Sequence, residues 1–119
     1  MRILVVDDDA IVTVSCKRIL ESEGFEVVCV PSADEALGTL RRQDFDLLLI
    51  DVKMPKHDGL FLIREIKKDL HQIPMIVMSG YPTPETIADV MKSGATLFIP
   101  KPFRPDELMK MIRQVLPDK

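Results

Sequence analysis

Residues 47–51, with the sequence LLLID, show the pattern that decides the fold. Four aliphatic residues precede an acid, and in three other stretches of the chain an apolar run likewise precedes a polar residue. Residues 3–6 (ILVV) precede Asp7 and Asp8, residues 75–78 (MIVM) precede Ser79, and residues 97–100 (LFIP) precede Lys101. Apolar runs this short indicate buried parallel strands, which carry hydrophobic residues on both faces.

Helical patterns separate these strands, so strands and helices alternate along the chain. We predict strands at 2–7, 25–30, 46–51, 74–79 and 97–100, and helices at 10–23, 33–42, 59–69, 84–93 and 105–116. Ser32 followed by Glu35 is a capping-box pattern, and Pro84 and Pro105 stand at first helical positions. This alternation with short links predicts a five-stranded, doubly wound parallel sheet with helices on both faces.

Pro100 places the last strand within that sheet. Because proline cannot donate a hydrogen bond to a sheet ladder, it is confined to sheet edges and strand ends. An edge position for the last strand agrees with the order 2-1-3-4-5, a common doubly wound arrangement.

The composition predicts one globular domain spanning residues 1–119, with no effector domain. Of the 119 residues, 46% are hydrophobic and 29% charged, and the net charge is −3. Without a basic stripe, direct nucleic-acid binding is not expected. No apolar run reaches membrane-spanning length and no signal peptide precedes the first strand, so no membrane association is expected. Cys16 and Cys29 are expected to be reduced thiols in a cytoplasmic protein.

The polar residues at the strand ends point to phosphoryl chemistry. The carboxyl ends of parallel strands meet at one edge of a sheet, where ligands bind. Asp7, Asp8 and Asp51 would repel one another there unless a divalent cation neutralised them. Asp51 is also a candidate nucleophile, while Ser79 and Lys101 could contact phosphoryl oxygens.

These residues match a known pattern in order and position. The matching segments are residues 3–9 (ILVVDDD), 51–59 (DVKMPKHDG), 78–80 (MSG) and 101–103 (KPF). Over essentially its whole length the chain resembles the bacterial two-component response-regulator receiver domain, as in chemotaxis receivers, which has a flavodoxin-like fold. The resemblance implies a phosphorylation-dependent signalling switch that accepts a phosphoryl group from a sensor histidine kinase or a phosphotransfer protein.

The resemblance also assigns roles to individual residues. Asp51 is then the phosphoacceptor, and Mg²⁺ or Mn²⁺ is held by Asp7, Asp8, Asp51 and the backbone carbonyl of Lys53. Ser79 and Lys101 sense the phosphoryl group, the Lys101–Pro102 bond is cis, and Phe98 is the switch aromatic that follows Ser79. The surface of the fourth helix, fifth strand and fifth helix would change and could support a homodimer.

Two further sets of residues follow from the same resemblance. Lys53 and Tyr81 occupy positions that tune the lifetime of the phosphoryl group, and neither readily orients an attacking water. The outer face of the first helix would dock on the kinase through Ile11, Val14, Ser15 and Arg18.

Side-chain patterning supplies smaller expectations for the last helix and for the histidines. In the last helix, Met109 and Leu116 fall beside the core stripe and could join a partner or dimer surface, but singly exposed apolar residues without such a role are common and are the favoured interpretation. His57 and His71 are expected to be ordinary surface histidines.

Two other classes of function stay open at this point. One is a phosphohydrolase or phosphotransferase with an aspartate nucleophile. Lys53 stands where such an enzyme would need a second acid, so we expect no turnover beyond self-phosphorylation from a donor and self-dephosphorylation. The other is a receiver-like interaction module that is never phosphorylated, although the presence of all five site residues argues against it. The sequence identifies neither a cognate kinase nor an effector.

Overall fold

The computed structural model describes residues 1–69 and 72–116. Strands and helices alternate through these ranges as predicted. The strands are β1 Arg2–Val6, β2 Glu26–Val30, β3 Leu47–Asp51, β4 Met75–Ser79 and β5 Leu97–Pro100. The helices are α1 Ala10–Ser22, α2 Ala33–Arg42, α3 Gly59–Asp69, α4 Pro84–Ser93 and α5 Pro105–Val115. The predicted bounds differ from these by no more than one residue at any end. His71, which was expected to be a surface histidine, lies outside the described residues.

All five strands belong to one parallel sheet in the order β2-β1-β3-β4-β5. The predicted order is therefore confirmed. Pro100 closes the edge strand β5 opposite Ser79, where its missing N–H costs no central ladder bond.

The sheet has an apolar core on each face. Its central strands are buried along their whole length, as their continuous aliphatic runs predict. One core joins side chains of the sheet to α2, α3 and α4, and the other joins the alternate side chains to α1 and α5. Among the described residues, none of the helices combines the length and hydropathy that a membrane span requires.

Local side-chain contacts fix the helix ends. Ser32 accepts a hydrogen bond from the Glu35 N–H at the start of α2, and Thr83 accepts one from the Thr86 N–H at the start of α4. Pro84 and Pro105 occupy the first helical turns, as predicted. Each cap satisfies a donor that the helix itself leaves unpaired.

The expectation for the last helix was wrong in one respect. Met109 and Leu116 are buried, with 6% and 8% of their surface exposed, and belong to the core that α5 shares with α1. Because α5 faces α1 as well as the sheet, its apolar stripe is wider than a sheet contact alone requires. These two residues are therefore not part of a partner surface.

Candidate functional site

The ends of four strands bring the predicted polar residues together. Val6 pairs with Ile50 across β1 and β3, so Asp7 and Asp51 lie side by side at the carboxyl edge of the sheet. Although they are polar, Asp7, Asp51 and Ser79 are only 1%, 6% and 2% exposed. We call these three residues and Lys101 the cleft floor.

Lys101 is the positive charge of the cleft floor. Its Nζ donates a hydrogen bond to Asp7 Oδ2 at 2.8 Å and lies 3.1 Å from Asp51 Oδ1. The backbone places it there, since the Lys101 N–H donates to the Ser79 carbonyl at 2.8 Å. The predicted cis bond between Lys101 and Pro102 is present. One ammonium group therefore bridges two buried carboxylates.

The electrostatics of the floor favour an added cation. Burial, followed by the negative charge of Asp7, raises the pKa of Asp51 from 3.8 to about 6, although Lys101 acts in the opposite direction. Burial lowers the pKa of Lys101, but its hydrogen bonds to Asp7 and Asp51 outweigh burial and raise that pKa. Lys101 therefore keeps its positive charge, but this one charge does not fully compensate the negative charges of Asp7 and Asp51.

The carboxylates also have the arrangement of a metal site. Asp7, Asp8 and Asp51 each offer an oxygen atom, and these atoms lie within 4.8 Å of one another. Asp7 Oδ1 also accepts the Asp9 N–H at 2.9 Å, which fixes its orientation. Asp8 is exposed, so the group opens to solvent on one side. Oxygen ligands with one open side fit Mg²⁺ or Mn²⁺, which retain waters for a phosphate-bearing partner.

Ser79 and Phe98 lie on neighbouring strands. Ser79 ends β4, and its Oγ accepts the Tyr81 N–H at 3.1 Å. Phe98 lies one strand further on in β5, where it is half-buried against the core formed with α2, α3 and α4.

Gly59 is a positioning residue to which sequence reasoning gave no role. Its N–H donates to the Val52 carbonyl at 2.8 Å. A Cβ added there would overlap the Asp51 carbonyl oxygen and lie 2.9 Å from Val52 Cα. The start of α3 thus presses directly on the backbone that carries Asp51, which only glycine allows. The available signal was a glycine at the first helical position, although glycine has a low helix propensity.

Lys53 and Tyr81 contact each other between two loops at the carboxyl edge of the sheet. Lys53 follows β3 and Tyr81 follows β4, and Lys53 Nζ lies 4.9 Å from the centre of the Tyr81 ring. Tyr81 is 70% exposed, and Lys53 is exposed as well. This cation–π contact was not predicted, because it joins two loops whose relative position the sequence does not specify. We call the two residues the rim.

The outer face of α1 is open, as predicted. Ile11 and Val14 are 78% and 54% exposed, and Ser15 and Arg18 are exposed too. A groove of about 500 Å³ separates this face from the loops after β4 and β5. Its lining includes Ile11, Ser15, Tyr81, Lys101 and Phe103. The groove is largely apolar and reaches Lys101, so a partner seated in it would lie beside the cleft.

Comparison with known proteins agrees with this architecture. The family model of the response regulator receiver domain matches residues 3–113. The chain is 36% identical over 114 residues to the transcriptional regulatory protein ZraR of Escherichia coli (strain K12), covering 96% of the chain and 26% of ZraR. It is also 36% identical over 115 residues to the transcriptional regulatory protein CpxR of Klebsiella pneumoniae, covering 97% of the chain and 49% of CpxR.

A solved structure gives the same result. The CheY-like receiver domain protein of Methanospirillum hungatei JF-1 superposes with a TM-score of 0.90 at 35% identity, covering 95% of the chain and 90% of that protein. A doubly wound sheet with an acidic cluster and a paired lysine at its carboxyl edge defines a class of signalling domains. The chain belongs to the response regulator receiver domain family of two-component systems. It spans about a quarter of the length of ZraR and about half that of CpxR.

Proposed function

We propose that the protein is a phosphorylation-controlled switch with Asp51 as its phosphoacceptor. The observation that carries this proposal is the buried Asp51 carboxylate, which is held 3.1 Å from Lys101 Nζ within an acidic cluster open to solvent. An Asp51 oxygen would attack the phosphorus of a phosphohistidine. The new O–P bond forms as the P–N bond breaks, and the histidine nitrogen keeps the electron pair.

The acidic cluster would hold Mg²⁺ or Mn²⁺ during this reaction. Asp7, Asp8 and Asp51 supply carboxylate oxygens, and the family resemblance adds the Lys53 backbone carbonyl. When bound, the ion would neutralise charge on the transferring phosphoryl group. Lys101 contributes a further positive charge 3.1 Å from Asp51, and its hydrogen bond to Asp7 keeps that ammonium group in place.

Ser79 and Phe98 would relay the change to the surface. A phosphoryl group on Asp51 would draw the Ser79 hydroxyl away from the Tyr81 amide, and Phe98 would follow into the space that Ser79 vacates. The population would then shift toward a second arrangement of α4, β5 and α5. That surface would act on an effector or on a second copy of the chain. Transcription regulation by a longer protein is the output suggested by the names of ZraR and CpxR.

The phosphoryl donor would be a sensor histidine kinase or a phosphotransfer protein. Ile11 and Ser15 line the groove beside Lys101, whereas Arg18 lines a second groove between α1 and α5. A helix of the donor that covered this face would bring its histidine to the open side of the cleft. Replacing Ile11 by serine should therefore slow transfer from the kinase more than transfer from a small acyl phosphate.

Incubation with acetyl phosphate and Mg²⁺ tests the proposal. A stable mass gain of one phosphoryl group, absent from Asp51→Asn, supports the switch. Sustained release of phosphate with catalytic turnover would instead indicate a phosphohydrolase. An unchanged mass with every donor would indicate an interaction module that is not phosphorylated.

We further propose that self-dephosphorylation is slow, because neither Lys53 nor Tyr81 readily orients an attacking water. The decay of the phosphorylated protein should be measured beside that of Lys53→Asn. A wild type that decays much faster than the variant would contradict slow decay.

A further inference from the structure

We propose that His57 is a positioning residue for the metal site, because it fastens the loop between β3 and α3 to helix α2. Its Nδ1 lies 3.1 Å from Oδ1 of Asp34, in the first turn of α2. Its ring also stacks on the Phe61 ring of α3, with 4.0 Å between the ring centres and 16° between the ring planes. We call His57, Asp34 and Phe61 the latch. The inference rests on the proposed function, since this loop carries the Lys53 carbonyl that the resemblance assigns to the ion.

The latch acts on a short loop whose two ends are joined. The Gly59 N–H donates to the Val52 carbonyl at 2.8 Å, so only six residues lie between the joined ends. Lys53 and His57 are both among these six. His57 is exposed, as expected, yet its ring contacts two different helices. Because the loop is so short, fixing His57 restricts the backbone angles open to the other loop residues, including Lys53.

The residue before the histidine shows that the loop has a specific conformation. Lys56 has a φ of 66°, in the left-handed region that side chains other than glycine rarely adopt. Local preference therefore does not favour this conformation, and surrounding contacts have to offset its cost. The two contacts of the next residue, His57, serve this purpose. The latch thus holds a backbone conformation that the loop sequence alone would not keep.

A held loop changes the affinity for a divalent cation. Asp7 and Asp51 are fixed at the ends of buried strands, whereas the carbonyl ligand would come from the loop. An ion that has to order a ligand when it binds loses affinity, and a loop ordered in advance avoids this loss. The side chains of His57 and Asp34 are 46% and 61% exposed, so their pairing is weak. Removing the latch should therefore weaken Mg²⁺ binding by about 2- to 5-fold without abolishing it.

A titration with Mg²⁺ alone, followed by the amide shifts in NMR spectra, tests the latch without a phosphoryl donor. The variants are His57→Ala, Asp34→Ala and the double variant. We expect each single variant to bind Mg²⁺ about 2- to 5-fold more weakly than the wild type, and the second substitution to add little in the double variant. Asp34→Asn offers a hydrogen-bond partner to either tautomer of His57, so it should bind Mg²⁺ nearly as the wild type does.

Glu35→Ala is the matched control. It removes the same charge from an exposed position in the same turn of α2, directly beside Asp34. Its Mg²⁺ affinity should equal that of the wild type. A Glu35→Ala variant that binds as weakly as Asp34→Ala would show that charge alone matters, and single effects that add in full in the double variant would show that the two residues act separately. Either result would overturn the latch.

Backbone order parameters of residues 53–57, measured by NMR without Mg²⁺, give a second readout. They should fall in His57→Ala and stay unchanged in Glu35→Ala, while urea denaturation finds both variants folded. Unchanged order parameters in His57→Ala would overturn the latch, as would equal Mg²⁺ affinities in a protein that takes a phosphoryl group. A protein that shows the expected Mg²⁺ differences but accepts no phosphoryl group from any donor would refute the proposed function and leave the latch supported.

Discussion

The cleft floor and the rim lie a few side chains apart but are held by different forces. On the floor, Asp7 and Asp51 are buried at strand ends, and Lys101 pairs with both at 2.8 and 3.1 Å. At the rim, Lys53 and Tyr81 are exposed on loops and meet through a cation–π contact of 4.9 Å. Removing one partner of the buried ion pairs on the floor costs several kcal/mol of free energy, whereas breaking an exposed charge contact at the rim costs little.

This difference assigns a separate task to each region. The strands fix the floor, whose groups would determine whether phosphoryl transfer occurs. The rim contributes little to stability and can vary without disturbing the fold, so it would determine how long the phosphoryl group lasts. Substitutions in the two regions should therefore differ in size and in kind.

The largest effect is expected at Lys101. Lys101→Met removes the ammonium group that faces both buried carboxylates, and the rate of phosphorylation by acetyl phosphate should fall about 10²-fold or more. Mass spectrometry against time measures this rate, with Lys110→Met as the control. A Lys101→Met variant that keeps the wild-type rate would show that the floor lysine has no part in the reaction.

The next effect concerns stability and its dependence on pH. The pKa of Asp51 is raised from 3.8 to about 6, so ionisation of Asp51 opposes folding. This penalty is absent below pH 4, where both states are protonated, and complete above pH 6. Asp51→Asn removes it and should raise the free energy of unfolding at pH 8 by up to about 3 kcal/mol.

Urea denaturation in EDTA, which removes divalent cations, measures this difference. The gain should shrink steadily as the pH is lowered from 7 to 4. A gain that is independent of pH would mean that Asp51 ionises without penalty on the floor.

A smaller effect is expected from the backbone that supports the floor. Gly59→Ala would press a methyl group against the Asp51 and Val52 backbone and should cost about 1–3 kcal/mol. Gly38→Ala is a matched control, since in α2 its methyl group would approach only Arg42 Nη1, at 3.8 Å. That control should stabilise the helix by about 0.5–1 kcal/mol. Equal effects at the two glycines would remove the role given to Gly59.

The smallest effect on stability is expected at the rim. Lys53→Met and Tyr81→Leu should each change the free energy of unfolding by less than about 1 kcal/mol, because both side chains are exposed. Thermal unfolding of the two rim variants, measured in parallel with that of Asp51→Asn, compares their changes in stability. A loss of several kcal/mol at either position would show that the rim is a structural element, contrary to the comparison.

The fold and the floor could be predicted because they follow from local patterns. Runs such as residues 47–50 are typical of buried strands, and parallel strands necessarily bring their carboxyl ends to one edge. Asp7, Asp51, Ser79 and Lys101 therefore converge wherever the strand order is correct. Pro100 agreed with that order, because it marked the last strand as an edge strand.

The features that were missed depend on contacts between elements. The Lys53–Tyr81 contact depends on how two loops leave the sheet, and no periodic pattern encodes that. Met109 and Leu116 were misplaced because the burial of α5 depends on where α1 lies across the sheet. Gly59 belongs to the motif at residues 51–59 that the sequence showed. The requirement for glycine there comes from a close approach to the Asp51 and Val52 backbone, which is seen only in the folded structure.

The central claim is that Asp51 receives the phosphoryl group, and locating the modified residue tests it most directly. The protein is phosphorylated with acetyl phosphate and Mg²⁺, reduced with borohydride to convert an aspartyl phosphate to homoserine, and then digested for peptide mass analysis. We predict homoserine at position 51 alone. Homoserine at another aspartate, or none in a protein that has gained phosphoryl mass, would contradict the account.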